Sequence, residues 1–193
     1  MQPSLCVNLS TSEQVYLLDI ARQSIHSGLE SGRALQLDVT HFDDNLRIEA
    51  AVFITLTRFG DLRGCIGSLQ AADPLAQAVV SSAFNAAFRD HRFGKVDSTE
   101  LNDLRIEISV LSELEPVEAV SRQMLLDNLQ PGVDGLLMEE RGYRSTFLPK
   151  VWEKLPSSNE FLGELMQKAG LPAGHWSDSI RFHRYHTLSF AEN

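Results

Sequence analysis

The run Arg63-Gly64-Cys65-Ile66-Gly67, inside LRGCIGSL from Leu62 to Leu69, brings a thiol, a guanidinium and two residues without side chains into a short apolar stretch. A cysteine becomes a nucleophile or redox centre once it loses its proton, and a neighbouring cation favours the thiolate. The arginine also offers a fork for a carboxylate or phosphate. Alternation at period two predicts Leu62, Gly64 and Ile66 on one face of a strand and Arg63, Cys65 and Gly67 on the other, with Arg63 one repeat from the sulfur. Glycine is a poor strand residue, so the pair around Cys65 marks a bend, a bulge, or the close approach of a backbone or a ligand. Packing is the plain alternative. Cysteine is among the most buried residue types, and the glycines would then relieve crowding where the next helix crosses the sheet.

The flanking elements must hold this strand in place. Ala50 to Arg58 is rich in β-branched residues, and Phe59, Gly60 and Asp61 supply a turn, which predicts a hairpin with the Cys65 strand. Asp73 as N-cap and Pro74 at the first helical position open a helix that continues through Leu75, Val79, Ala83 and Ala86 to about Phe88. A loop containing Asp90, His91, Arg92 and Phe93 leads to a half-buried strand from Leu104 to Ser112. Its apolar face is Ile106, Ile108 and Val110, and its polar face is Arg105, Glu107 and Ser109.

Before these elements, Thr11 to Leu29 reads as a helix behind a Ser10–Glu13 capping box, with a stripe of Val15, Leu18, Ala21, Arg22 and Ile25 and a polar loop from Asp38 to Asn45. After Pro116 come a helix near Ser121 to Asn128 and a hairpin of Gly135 to Glu139 with Ser145 to Leu148 around Arg141 and Gly142. A Ser157–Glu160 capped helix and a closing strand from Ile180 to Phe190, bulged or buried on both faces, complete the series. Hairpins mixed with helices, without regular strand–helix alternation, predict an α+β fold with a largely antiparallel sheet. No linker separates independent domains, so residues 1–193 read as one domain.

At 193 residues, 43% hydrophobic and 22% charged, the chain has the composition of a globular protein with a sizeable core. Seventeen basic against 26 acidic side chains give a net charge of −9, which disfavours non-specific binding to nucleic acid. Cys6 and Cys65 show neither metal spacing nor a disulfide framework, and no signal peptide or membrane-length apolar run stands out. The expectation is a cytoplasmic protein.

The stretch FITLTRFGDLRGCIGSL from Phe53 to Leu69 closely resembles the signature of the AMMECR domain family. Pro74 and Leu75, Ala86 and Ala87, Asp90 to Phe93, IEISVLSELEPV from Ile106, Gly132 to Leu137, FLPKVWE from Phe147 and FLGELMQKAGL ending at Leu171 match in order. The resemblance covers most of the chain. It implies a single α+β domain of two intimately packed lobes, with the signature strand facing a cleft between them. It also points to the family label AmmeMemoRadiSam system protein A, which links the domain to Memo-like and radical-SAM proteins as partners. It carries no settled reaction and names no cofactor, the family being chiefly of unknown function. Three departures stand out: Gly94 where the family tends to proline, Lys150 where it tends to glutamine, and Asp134 where a histidine commonly precedes Gly135.

Carried over to this chain, the motif implies a site of Cys65, Arg63 and Glu107 as the reacting groups, with Gly64, Gly67, Asp90, Arg92 and Ser109 around a small-molecule ligand. If Glu107 and Cys65 share a face, a thiol, a carboxylate and a guanidinium converge, the arginine holding an anion and the glutamate moving a proton. Equally, Glu107 could simply pair with Arg63 or Arg105 across the sheet. Two functions follow: an enzyme working through Cys65, or a non-catalytic binding or adaptor module in which Cys65 only packs. His183 and His186, three apart on a strand, point to opposite faces and would need a bulge to share a metal, so no metal is expected there. His91 and His175 read as surface or loop residues. Gly64 to Gly67 superficially matches an RNA-clamping GXXG loop, but that loop joins helices. No P-loop or dinucleotide fingerprint is present. Trp152 and Trp176, with Phe147 and Phe161, read as core of the later half.

Overall fold

The structure is a computed structural model that describes residues 8–38 and 42–192. Cys6 and residues 39–41 of the expected loop lie outside them. The chain divides into two compact units, one formed by the described residues up to Leu111 with Leu188–Glu192, the other by Ser112–Thr187. Each is α+β, with an antiparallel sheet flanked by helices.

In the first unit, α1 (Thr11–Ser31) starts with the expected capping box: Ser10 accepts the Glu13 amide while the Glu13 carboxylate accepts the Ser10 amide. Its buried stripe is Leu17, Ile20, Ala21 and Ile25, and Val15 is 61% exposed. The inward face is therefore rotated from the one built on Val15 and Leu18. A short α2 (Asp44–Arg47) interrupts the expected loop.

β1 (Val52–Arg58) and β2 (Asp61–Gly67) form the hairpin, turning through Phe59 and Gly60 at φ 53° and 90°. α3 (Leu75–Phe88) follows, and β3 (Leu104–Leu111) pairs antiparallel with β1. Asp73 does not cap α3; Pro74 occupies the N-cap position without a side-chain bond. The Leu75 amide donates instead to the Ile48 carbonyl, 2.9 Å away, and the Ala50 amide to the Asp73 carbonyl, so a small backbone bridge does the capping. Val52, Ile54 and Leu56 of β1 and Ile106, Ile108 and Val110 of β3 point into one core with α1 and α3.

In the second unit, β4 (Glu115–Pro116) precedes α4 (Arg122–Asn128), which Ser121 caps at the Met124 amide. β5 (Gly135–Glu140) and β6 (Tyr143–Phe147) form the second hairpin. A 3₁₀ turn (Pro149–Glu153) and α5 (Ser158–Lys168) follow. Trp152 stacks on Phe161 with ring centroids 3.8 Å apart, and Trp176 stacks on Phe182, so these aromatics are core, as their apolar surroundings required.

The expected single closing strand is two. β7 (Arg181–Tyr185) completes the second sheet, in the order β4-β7-β5-β6, while β8 (Thr187–Ala191) completes the first, in the order β2-β1-β3-β8. The break falls at His186, whose amide and carbonyl bond Ser112, to its Oγ and its N–H, instead of a strand partner. The mixed hydrophobic pattern reflects a change of sheet rather than a bulge.

Candidate functional site

Strand pairing sets the site. Cys65 lies opposite Thr55 in β1, and Thr55 lies opposite Glu107 in β3, so the three form one row on the sheet face opposite α1 and α3. All are half-buried. The Thr55 hydroxyl and the Cys65 sulfur are 3.5 Å apart. With β1 between them, the Cys65 and Glu107 backbones stand about 10 Å apart, two strand spacings.

The guanidinium expected beside the sulfur is elsewhere. The β1–β2 register passes from Leu56 opposite Gly64 to Thr57 opposite Leu62, leaving Arg63 as the extra residue of a β-bulge. Its Nε and Nη2 donate to the two Glu100 carboxylate oxygens, each at 2.8 Å, and its Nη1 to the Gly94 carbonyl at 2.9 Å. Arg58 also donates to Glu100. Strict alternation cannot foresee this, because one inserted residue re-aims the side chain; the bracketing glycines were its only local sign. Glu100, the partner, sits in an irregular segment 37 positions away with no spacing to betray it. Gly94 contributes only a main-chain carbonyl here, which a proline also has.

Arg92 is the guanidinium that reaches Cys65. β2 is an edge strand, and Cys65 turns its N–H and C=O outward, away from β1. Asp90 accepts the Cys65 amide at 2.9 Å, Arg92 Nη2 donates to the Cys65 carbonyl at 3.1 Å, and the two side chains join each other through Nε and Nη2 at 2.9 and 2.7 Å. This pair stands in for a missing strand. Hydrogen bonding from Arg92 holds the buried Asp90 carboxyl far below the ordinary carboxylate range, against the opposing effect of burial, with the Cys65 amide helping. Its folded value being depressed, Asp90 contributes stability in full above the unfolded pKa of about 3.9 and loses it as the pH falls through the folded value. Asp90→Asn is expected to cost about 1–2 kcal/mol near neutrality, moderated by the exposure of Arg92. Urea unfolding of both proteins from pH 7 down to pH 3 should show the gap narrowing below about pH 4; a gap that does not change with pH would contradict the assignment.

The remaining expected residues have structural occupations. A Cβ on Gly64 would sit 2.3 Å from the Ala86 carbonyl oxygen of α3, and one on Gly67 would sit 2.2 Å from the Val52 carbonyl oxygen. Both glycines serve close approach within the fold. Ser109 is buried and its hydroxyl bonds Ser189 at 2.9 Å. The polar groups this row carries are the Cys65 sulfur, the Thr55 hydroxyl and the Glu107 carboxylate.

A model of the AMMECR1 family matches residues 18–190. The chain belongs to that family. As an AMMECR1-family member it is 36% identical over 191 residues to a protein of Methanothermobacter thermautotrophicus, covering 96% of this chain and 97% of the relative. A Methanococcoides burtonii protein is 34% identical, with 95% and 91% covered. The solved structure of an uncharacterised Pyrococcus horikoshii protein superposes with a TM-score of 0.86 at 30% identity, covering 92% of this chain and 90% of that one. These likenesses fix the fold and the family.

Other polar clusters stand apart from this row. Asp134, one of the departures within the AMMECR1 family pattern, is buried; it accepts the Gln130 amide and pairs with His186 Nε2 at 3.1 Å. His183 faces Glu139 at 3.9 Å, so the two histidines use different carboxylates. His91 is exposed, and Lys150 lies exposed on the 3₁₀ turn. Sequence reasoning missed Glu140, a buried carboxylate that accepts from Ser177, from Ser179 at 2.9 Å and pairs with His175 at 2.5 Å. The Ser177 hydrogen bond is the main influence holding its carboxyl below the usual range. Because the carboxylate, not the imidazole, touches the serines, neither hydroxyl is activated, and the cluster instead fastens the segment after α5. Among the described residues, no helix is long and apolar enough to cross a membrane.

Proposed function

We propose that this AMMECR1-family protein acts on a small molecule or modified group through Cys65, as nucleophile or redox centre, alongside Memo-like and radical-SAM proteins. The observation that supports this reading is a half-buried thiol on a backbone pinned from its outer side by Asp90 and Arg92. A nucleophile needs such fixed placement more than it needs flexibility. Thr55 supplies a hydroxyl beside the sulfur, and Glu107, in the same cross-strand row, is the carboxylate that takes the proton by way of that hydroxyl or a water.

The experiment is alkylation of the folded protein by iodoacetamide in a Cys6→Ser background, followed by Cys65→Ser and Cys65→Ala variants incubated with purified partner proteins and metabolite extract. Native-state labelling of Cys65 within about tenfold of a free-thiol rate, and loss of product in both variants, are expected. A thiol that reacts only after denaturation would sink the enzymatic reading.

A binding module is the second reading, favoured by the full use of Asp90, Arg92, Arg63 and both glycines in holding the fold. It predicts that Cys65→Ala still retains whatever small molecule co-purifies with the wild type.

A further inference from the structure

The second unit carries a groove of about 560 Å³ that the chemistry above does not use. Arg122 walls one end, Asn159, Gly163, Glu164 and Gln167 follow along α5, and Gly174 lies on the facing segment. The size falls within the roughly 300–1,000 Å³ of small-ligand sites. From Asn159 to Gln167 the helix rises about 12 Å, the length of an extended peptide of three or four residues.

Two of its features have no explanation in packing. Arg122 Nη2 donates to the Asn159 side-chain carbonyl at 3.1 Å and, at a long 3.4 Å, to the Asn159 main-chain carbonyl, but Nη1 is shielded from solvent and has no hydrogen-bond partner among the described residues. Burial draws this guanidinium's pKa down, the mark of a cation short of acceptors. Gly163 is the second. It sits inside α5, where glycine is unfavourable, yet a Cβ there would meet only Ala173, at 3.5 Å from its Cβ, an ordinary contact. Among the described residues no neighbour demands its absence; what a methyl would do is raise the floor of the groove.

The charges select the occupant. A phosphate would meet Arg122 but also the carboxylates of Glu160 and Glu164 on the same wall, whereas a ligand with an anion at one end and a cation at the other satisfies both. We propose that the groove binds the carboxyl-terminal end of an extended basic peptide. The free α-carboxylate pairs with Arg122, which turns to present Nη1 as the long Asn159 contact is given up. The main chain lies over Gly163, and a basic side chain upstream reaches Glu164. Asn159 and Glu164 are about 7.5 Å apart along the helix, close to the roughly 7 Å between residues two apart in an extended chain.

The test is isothermal titration of the full chain with the tripeptide Lys-Gly-Gly and with its carboxyl-amidated form. Saturable binding is expected, weakened at least about tenfold by amidation, by Arg122→Gln and by Gly163→Ala. Gly163→Ala should at the same time raise the melting temperature by about 2–4 °C, so that stability and binding move in opposite directions. Equal binding of the amidated peptide, unchanged affinity in Gly163→Ala, or no saturable heat with Lys-Gly-Gly would each overturn the proposal. Should Arg122→Gln not fold, the amidated peptide and Gly163→Ala decide the matter without it.

Discussion

Alanine at position 64 is expected to remove about 3 kcal/mol of stability, the upper end of the range for overfilling a packed interior. Gly64 is buried in β2 against α3, and the added carbon would lie 2.3 Å from the Ala86 carbonyl oxygen and 3.2 Å from its carbon. Those atoms are main chain, so no rotamer change relieves the clash. Either α3 lifts from the sheet, separating Ala83, Ala86 and Ala87 from the Ile54 and Leu56 layer, or the edge strand bends away. Against a typical stability of about 5–15 kcal/mol, this is a large fraction. Gly94→Ala is the control: its Cβ meets nothing within 4 Å among the described residues, and its effect should stay within about 0.5 kcal/mol. Urea unfolding midpoints of the two variants check the contrast. If Gly64→Ala unfolds like the wild type, the contact with α3 is not what demands glycine there, and a role in admitting a ligand regains weight.

Arg22→Ala should cost about 2–3 kcal/mol, more than a surface ion pair, because it strands several acceptors at once. The Arg22 guanidinium, a third exposed, donates from Nε and Nη2 to the two Glu192 oxygens at 2.6 and 2.5 Å, from Nη1 to the Leu101 carbonyl and from Nη2 to the Leu104 carbonyl, both at 2.8 Å. Glu192 also accepts the Ile106 amide at 2.9 Å. The pair thus ties α1, the approach to β3 and the end of β8 together. Arg22→Lys is expected to recover only part of the loss, since an ammonium cannot reproduce the planar fork. Hydrogen exchange should show the β8 amides opening first in Arg22→Ala; uniform protection in that variant would place the lock elsewhere.

Local rules made much of this architecture readable. The Ser10–Glu13 box, the hairpin through Phe59 and Gly60 and the alternation of Ile106, Ile108 and Val110 depend on neighbours close in sequence, and they appear where expected. The stripe of α1 was misaligned because Arg22, counted among its inward positions, reaches Glu192 rather than an apolar neighbour. Arg63 was misplaced for a different reason. Period-two alternation assumes an unbroken ladder, and a bulge breaks it at the residue whose direction mattered most. The motif located the Cys65 strand, yet what Asp90 and Arg92 do there became visible only once β2 proved to be an edge, a property of strand order that no local pattern encodes.

The division of the last strand pair between two sheets has a temporal consequence. Glu192 lies 170 positions from Arg22, and β8 borders β3 only after the whole second unit has been made. At about 5–20 residues per second, synthesis from Leu111 to Glu192 takes roughly 4–16 s, during which the first unit waits with one flank of β3 uncovered. An uncovered strand edge is where nascent chains pair wrongly or recruit chaperones. Ribosome stalling before residue 188 would therefore release a first half that holds α1, α3 and three of its strands but lacks the fourth, making the synthesis of β8 the moment at which this protein's older half becomes native.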